Sequence, residues 1–502
     1  MRAERYFEEN KGHARLGRES LHNGVLFVAA RAINVFVQLA STILLARLLS
    51  PHDYGLVAIV FALVGFAPML IDLGSSDASV QRTHIEHVDV STLFCLNLAV
   101  GLILTVLLIG VSPFIASLYG DPALTGIAIA SSLFLVATAL SAQHYALMRR
   151  AMQFRRIAII EIVASLVSCL VALGMAYTGW GYWALVAKAI LAPVLSAVGA
   201  WASCPWRPGR PRLTPAVREL LGFGLGVTGF TLTDNVARSA DRIVLGYFYG
   251  AGSLGYFQNA FLLYDNVLGL LTQPLHNVAI SGLSKLKNEV AELKRSWAAA
   301  LSSLSFLSCL GFAGLAVTAQ DLVVLLLGQK WEPAGPLLAI FAVRGIAHVA
   351  ERTLGWLHVA AGRSDRWMRW GFFSALFQLA ALLAGLPFGL VGVVTAHALA
   401  TFCLFLPALL YAGRPFGIST KDILGAVGPQ MVAALVTVAI GLAAQRLYFD
   451  DYSHLARFLI SIPVCLAVYL VVTIGVFRVT GPVQIGFSLL RDLIPVRLRG
   501  TS

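Results

Sequence analysis

The run from Leu21 to Gly55 aligns without a gap on the run from Leu221 to Gly255, and each holds an apolar stretch long enough to cross a bilayer. Leu21 matches Leu221, Gly24 matches Gly224, Ile43 matches Ile243 and Gly55 matches Gly255. Polar residues recur at matching depth, with Asn34 opposite Asp234 and Gln38 opposite Arg238. Further along, Trp180-Gly181-Tyr182 answers Phe388-Gly389-Leu390, the change of offset falling in the loop around Gln329 to Pro336. Duplicated helices of this kind build secondary transporters, in which a substrate is held between the halves.

A bilayer core takes about 20 apolar residues per helix. The first half supplies Val25–Leu45, Tyr54–Leu73, Leu93–Val111, Ile127–Tyr145, Ile157–Tyr177 and Tyr182–Trp201. The second supplies Leu221–Phe248, Leu254–Leu275, Ala300–Ala319, Leu337–Leu357, Trp367–Leu386 and Leu390–Ala412. Ile423–Ala443 and Phe458–Phe477 follow without a counterpart. The expected fold is therefore an all-α polytopic membrane protein of about 14 transmembrane helices. Two pseudo-symmetric six-helix lobes (25–203 and 220–413) would be followed by an added helix pair at 414–477. The Pro- and Arg-rich segment 204–219 reads as a cytoplasmic linker, 1–24 as a cytoplasmic N-terminal segment and 478–502 as a cytoplasmic tail. Leu283–Leu293 has the pattern of a short amphipathic helix on the inner surface.

Charge tests this topology independently. Only 12% of the 502 residues are charged, against the roughly one quarter usual in soluble domains. With the N-terminus inside, about 27 Lys and Arg fall on the cytoplasmic side and about 4 (Arg47, Lys330, Arg446, Arg457) on the other. A missed helix would scramble that alternation. The net charge of +12 thus reflects membrane orientation, and a nucleic-acid partner is not expected. The polar first 20 residues do not read as a cleaved targeting peptide. The six cysteines are dispersed in apolar runs with no ligand spacing, so neither a disulfide framework nor a metal site is expected.

Charges inside spans are the exceptions that point to function, because an arginine at mid-bilayer costs about 2.5–3.5 kcal/mol on the gentlest scale. Arg31, Asn34, Gln38 and Ser41 share one face of the first helix, and Thr231, Asp234, Arg238 and Asp241 share the same face of its copy. A polar stripe present in both copies should face a wet interior. Arg31 and Arg238 would line a cationic cavity between the lobes, with Arg242, Arg344 and Lys188 as further candidates. Guanidinium forks suit phosphate oxygens, which favours a phosphate-bearing cargo. Asp234, Asp265 and Glu161 are candidates for coupling to a proton or sodium ion, and no other cofactor is expected. Arg238 can equally pair with Asp234, and Arg352 can snorkel beside Glu351.

Enzymatic signatures are absent: there is no Walker A loop, no GxSxG elbow and no HExxH. The outer loops are too short for a catalytic domain, which argues against a polysaccharide polymerase or ligase. A drug or metabolite antiporter would want an acidic cavity, whereas Arg31 is basic with no acid in its own span.

The second-copy run Asp241-Arg242-Ile243-Val244-Leu245-Gly246-Tyr247-Phe248-Tyr249-Gly250, continuing through Gly252-Ser253-Leu254-Gly255-Tyr256-Phe257, resembles a signature of bacterial polysaccharide exporters. The first-copy run Leu45-Ala46-Arg47-Leu48-Leu49-Ser50-Pro51, with Asp53-Tyr54-Gly55, resembles another motif of that family. These are lipid-linked oligosaccharide flippases of the multidrug/oligosaccharidyl-lipid/polysaccharide superfamily, of the colanic acid and succinoglycan type. The resemblance implies a non-enzymatic, multi-pass protein of the bacterial inner membrane. It implies translocation of an undecaprenyl-diphosphate oligosaccharide for exopolysaccharide, capsule or O-antigen synthesis, by rocking of two lobes. It further implies that the added helix pair borders a groove for the polyprenyl tail. Expected partners are the lipid-linked cargo, membrane lipid, and polymerase and chain-length or export machinery.

Overall fold

A computed structural model describes residues 18–82, 85–212, 214, 217, 239–272, 286, 289–479 and 481; the side chains of 18–32, 77, 78, 81 and 364 fall outside that description. No strand occurs among the described residues. The chain forms two compact units, Met1–Gly255 and Tyr256–Ser502. Ten helical segments among the described residues are long and apolar enough to span a bilayer, so this is a multi-pass membrane protein. One of the ten, Asp365–Phe416, contains two successive helices. The expected span Leu221–Phe248 lies outside the described residues up to residue 238.

In the first unit, α1 (Arg18–Leu48) turns into α2 (Pro51–Val64), followed by the short α3 (Ala67–Asp72) and α4 (Ser75–Gln81). The long helices α5 (His87–Tyr119), α6 (Ala123–Arg150), α7 (Phe154–Tyr177) and α8 (Tyr182–Ser203) follow. Residues 239–272 are helical and are here α9, with Gly250 at φ 74°. The α1–α2 turn is fixed by local chemistry. Ser50 and Asp53 form a reciprocal capping box, and Pro51 occupies the first turn, where its missing N–H goes unused. In the second copy Gly250 stands where Ser50 stands in the first, and it places a left-handed residue inside α9 at the position of the α1–α2 turn.

The expected span Tyr54–Leu73 corresponds to a segment long and apolar enough to cross a membrane, Pro51–Asp72, but that segment is made of two helices. It breaks at Gly65-Phe66, and two successive left-handed residues, Leu73 (φ 48°) and Gly74 (φ 69°), end α3. A buried polar network holds this break. Asp72 accepts from the Ser76 amide (3.2 Å), Gln143 on α6 donates to Ser75 (2.8 Å), and the Asn97 amide oxygen on α5 accepts from the Ser75 hydroxyl (3.2 Å). In a bilayer such groups must be satisfied within the protein, which pins the broken segment to α5 and α6. The segment after α8 is equally anchored. Trp206 is fully buried against Phe94 and His144, while Ser91 and Thr92 of α5 accept from the Gly209 (2.9 Å) and Arg212 (2.9 Å) amides.

In the second unit, α10 (Val290–Leu327) is a 38-residue helix, about 57 Å long at 1.5 Å per residue. Its first turn includes Val290–Leu293, so the amphipathic segment expected to end at Leu293 runs on into a spanning helix. Helices α11 (Ala334–Arg352), α12 (Leu354–Ala360), α13 (Ser364–Gly385) and α14 (Gly389–Gly413) follow, then the hairpin of α15 (Thr420–Tyr448) and α16 (His454–Leu470). Helix α10 is the hub, packing against α11, α15 and α16. Phe372, Phe373, Leu376 and Leu383 on α13, like Ile159, Val163 and Leu170 on α7, are exposed, as lipid-facing side chains should be.

Candidate functional site

Four half-buried ionisable side chains of the second unit line one face of α11. Arg344, His348, Glu351 and Arg352 fall at i, i+4, i+7 and i+8, a single stripe on a helix. Beside it, a β-carbon added at Gly345 would stand 2.6 Å from the Phe312 ring of α10, so α11 is held close by its bare backbone there.

Three helices converge on Thr401 of α14. Its hydroxyl accepts from Arg344 Nε (2.9 Å) and from Gln378 Nε2 of α13 (3.2 Å), and donates to the His397 carbonyl (3.0 Å). That uses the one proton and both lone pairs of the oxygen. Among the described residues this is the hydrogen bond that the Arg344 guanidinium makes, leaving the rest of its N–H fork available. Gln378 Oε1 is buried with no hydrogen-bond partner among the described residues. One turn along α11, His348 Nδ1 lies 2.6 Å from the Tyr264 hydroxyl of α9, whose ring is fully buried and stacks on Phe341 (5.5 Å, 20°). Arg344, Arg352, Asp265 and Glu351 all lie within electrostatic reach of that phenol, and Glu351 lies in the field of both arginines. Two guanidiniums thus face two carboxylates, so the described stripe is charged without being strongly cationic.

The expected site residues are distributed as follows. Arg344 and Asp265 meet around Tyr264 in the second unit. In the first unit Lys188 is half-buried on α8, seven residues into the helix, with Cys169 of α7 in its electrostatic reach and no carboxylate paired with it among the described residues. Asn34 is half-buried on α1, and its Oδ1 has no hydrogen-bond partner among the described residues; the Ser41 hydroxyl, two turns on, is in the same position. Gln38 is exposed on the same helix. Arg242 is half-buried on α9, and Glu161 is exposed on α7 near Tyr145 of α6. The Arg31 side chain, Asp234 and Arg238 lie outside the described residues.

Several polar residues that the periodicity did not single out share these contacts: Tyr264, Gln378 and Thr401 above all. Gln378 and Thr401 are isolated polar residues within apolar runs, the signal by which they stand out, whereas Tyr264 adjoins Asp265 and Asn266. Asn266, by contrast, donates to the Leu262 carbonyl of its own helix (2.8 Å).

Residues 44–336 match a family described as polysaccharide biosynthesis protein. Similar curated proteins include the lipopolysaccharide biosynthesis protein WzxC of Escherichia coli K12, 25% identical over 384 residues that cover 75% of this chain and 77% of that protein. The teichuronic acid biosynthesis protein TuaB of Bacillus subtilis 168 is 26% identical over 356 residues, covering 68% and 71%. Among solved structures, the lipid II flippase MurJ in an inward closed conformation superposes with a TM-score of 0.70 over 90% of this chain and 99% of that one, at 17% identity. That likeness establishes that this chain shares the fold of that structure.

Proposed function

Since this chain belongs to the polysaccharide biosynthesis protein family, we propose that it is a flippase for a lipid-linked oligosaccharide, carrying an undecaprenyl-diphosphate-bound repeat unit from the cytoplasmic to the outer leaflet of the bacterial inner membrane. The protein works by alternating access of two six-helix lobes, with α15 and α16 as an added pair and both termini in the cytoplasm. The diphosphate is met by membrane-embedded basic side chains, of which Arg344 is the best defined; Arg31, Arg238, Arg242 and Lys188 complete the set, and Asn34, Gln38 and Asp234 face the sugars. A proton or sodium gradient drives the cycle through Asp234, Asp265 or Glu161. The released cargo passes to polymerase and chain-length machinery.

One observation supports this reading: a guanidinium inside an apolar helix bundle that among the described residues is held through Nε, leaving the rest of its fork to grip phosphate oxygens. The test is purified protein in proteoliposomes with fluorescent lipid-linked glycans on one leaflet, under imposed proton or sodium gradients. Gradient-dependent movement of the headgroup, lost in the Arg344→Ala variant, is expected. Flipping that ignores the diphosphate, or transport of small cations in its place, overturns it.

A further inference from the structure

The two copies of the repeated segment touch each other through equivalent positions, and they do so reciprocally. A β-carbon added at Gly55 would overlap the Ala251 carbonyl oxygen and stand 2.7 Å from the Ala251 Cα. One added at Gly255 would overlap the Pro51 carbonyl oxygen and stand 2.7 Å from the Pro51 carbonyl carbon. Gly55 and Gly255 are the same position in the repeat, as are Pro51 and Ala251. Each glycine therefore lies on the backbone that opens the other copy's helix, the pattern of a two-fold contact. Only a residue without a β-carbon permits backbones to meet this closely.

Neighbouring contacts extend the crossing. The Tyr119 hydroxyl at the end of α5 donates to the Ile243 carbonyl of α9 (3.1 Å), and its ring meets Tyr247 edge to face (6.3 Å, 85°). One turn deeper than Gly55, the buried Ile59 fills the hollow over Gly246, where an added β-carbon would stand 3.0 Å from the Ile59 side chain. All of these residues lie at the end of the helices that the asymmetry of basic loops assigns to the outer face.

We propose that this reciprocal glycine crossing, with the Tyr119–Ile243 hydrogen bond as its clasp, is the outer seal of the transport path, and that Gly55 and Gly255 set the balance between sealed and outward-open states. The inference rests on the flippase reading for what crosses, but not for whether the seal exists. A contact made by bare backbone loses its fit with a single methyl, so either glycine acts as a sensitive setting on one equilibrium. Because the contact is two-fold, the two substitutions should have the same effect.

The experiment places a reporter, Ile59→Cys, in a background whose six native cysteines are replaced by alanine. Labelling by a membrane-impermeant maleimide is then measured from the outer side of intact cells. Gly55→Ala and Gly255→Ala should each raise the rate about tenfold, by equal amounts, as a shifted two-state equilibrium requires. Gly252→Ala, where an added β-carbon meets nothing within 4 Å, should leave it unchanged. Tyr119→Phe adds no bulk and removes the clasp; a rise of about threefold is expected. Should the glycine variants fail to fold, Tyr119→Phe decides alone. Unchanged labelling in Gly55→Ala and Gly255→Ala, or in Tyr119→Phe where those misfold, overturns the seal, as does an equal rise in Gly252→Ala. Labelling that behaves as expected in a protein that moves no lipid-linked glycan in proteoliposomes keeps the seal and removes the flippase reading.

Discussion

Two charged clusters lie inside the second unit, and they differ in how completely the protein satisfies them. Toward the end of α10, the buried Asp321 holds the helical hairpin that follows. His454 Nδ1 is 2.8 Å and Arg457 Nε 3.2 Å from its Oδ1, both contributed by the first turn of α16, and Gln445 from the last turn of α15 donates to its Oδ2 (3.3 Å). Gln445 also donates to Ser461 (3.0 Å), and Arg457 reaches Asp450 (3.6 Å). Each charge there has an opposite charge within the cluster. On α11, Arg344 makes one hydrogen bond among the described residues, to a hydroxyl, and the carboxylates of Glu351 and Asp265 balance its charge only at a distance. A buried cluster whose charges are paired within it holds helices together, even though Arg457 Nε makes no hydrogen bond among the described residues. An under-satisfied one can accept a ligand that completes it.

The largest effect expected from this contrast is at Asp321. Alanine there leaves Arg457 mostly buried without its nearest carboxylate and His454 without an acceptor, which costs about 3–5 kcal/mol in comparable buried pairs. Thermal unfolding in detergent should fall accordingly, while each molecule that remains folded flips cargo at the normal rate. A loss below about 1 kcal/mol would show that the cluster is no clasp, since exposed pairs contribute no more than that.

Arg344→Ala should do the reverse. Losing a charge-assisted contact of about 1.5–3 kcal/mol to the cargo lowers export roughly tenfold or more. Stability should stay within about 1 kcal/mol, because the substitution also removes an incompletely satisfied, half-buried charge. Arg344→Lys keeps the charge and loses the planar fork, so its export should fall between the two. The comparison breaks if export and melting temperature decline together in Arg344→Ala.

How much of this was visible in the sequence differs between the clusters for a physical reason. Arg344 stands out because a charge inside an apolar run must have a reason to be there. Asp321 does not, since it sits just past the expected end of the span Ala300–Ala319 and reads as the start of an outer loop. Helix α10 in fact runs on to Leu327, because Asp321 finds its partners on α16, more than 130 residues later, where hydropathy has no reach. The same limit explains the broken second span. Its run from Leu56 to Ile71 carries no charge to mark the break at Gly65-Phe66, and the end of α3 at Leu73-Gly74 is held by Ser75, Asn97 and Gln143 from three elements. Repeat symmetry was the stronger guide. The matching of Gly55 with Gly255 appears in the alignment alone, although that the two glycines reciprocally meet the opposite copy does not.

The smallest effect, and the one that sharpens the boundary between the clusters, is expected at Tyr264. It lies beside the α11 stripe, yet its hydroxyl is taken up by His348 Nδ1 at 2.6 Å, which makes it locally as satisfied as the α10 clasp. Tyr264→Phe removes that bond and keeps the ring, whose stack on Phe341 is independent of the oxygen. The cost should be about 1 kcal/mol, the net value of one hydrogen bond, read as a small drop in melting temperature. Export should be unchanged within twofold, because the His348 ring keeps its stack on the ring at position 264. An export loss clearly larger than the stability loss would mean that the Tyr264–His348 pair positions the stripe for its ligand, and the site would then extend one helical turn beyond Arg344.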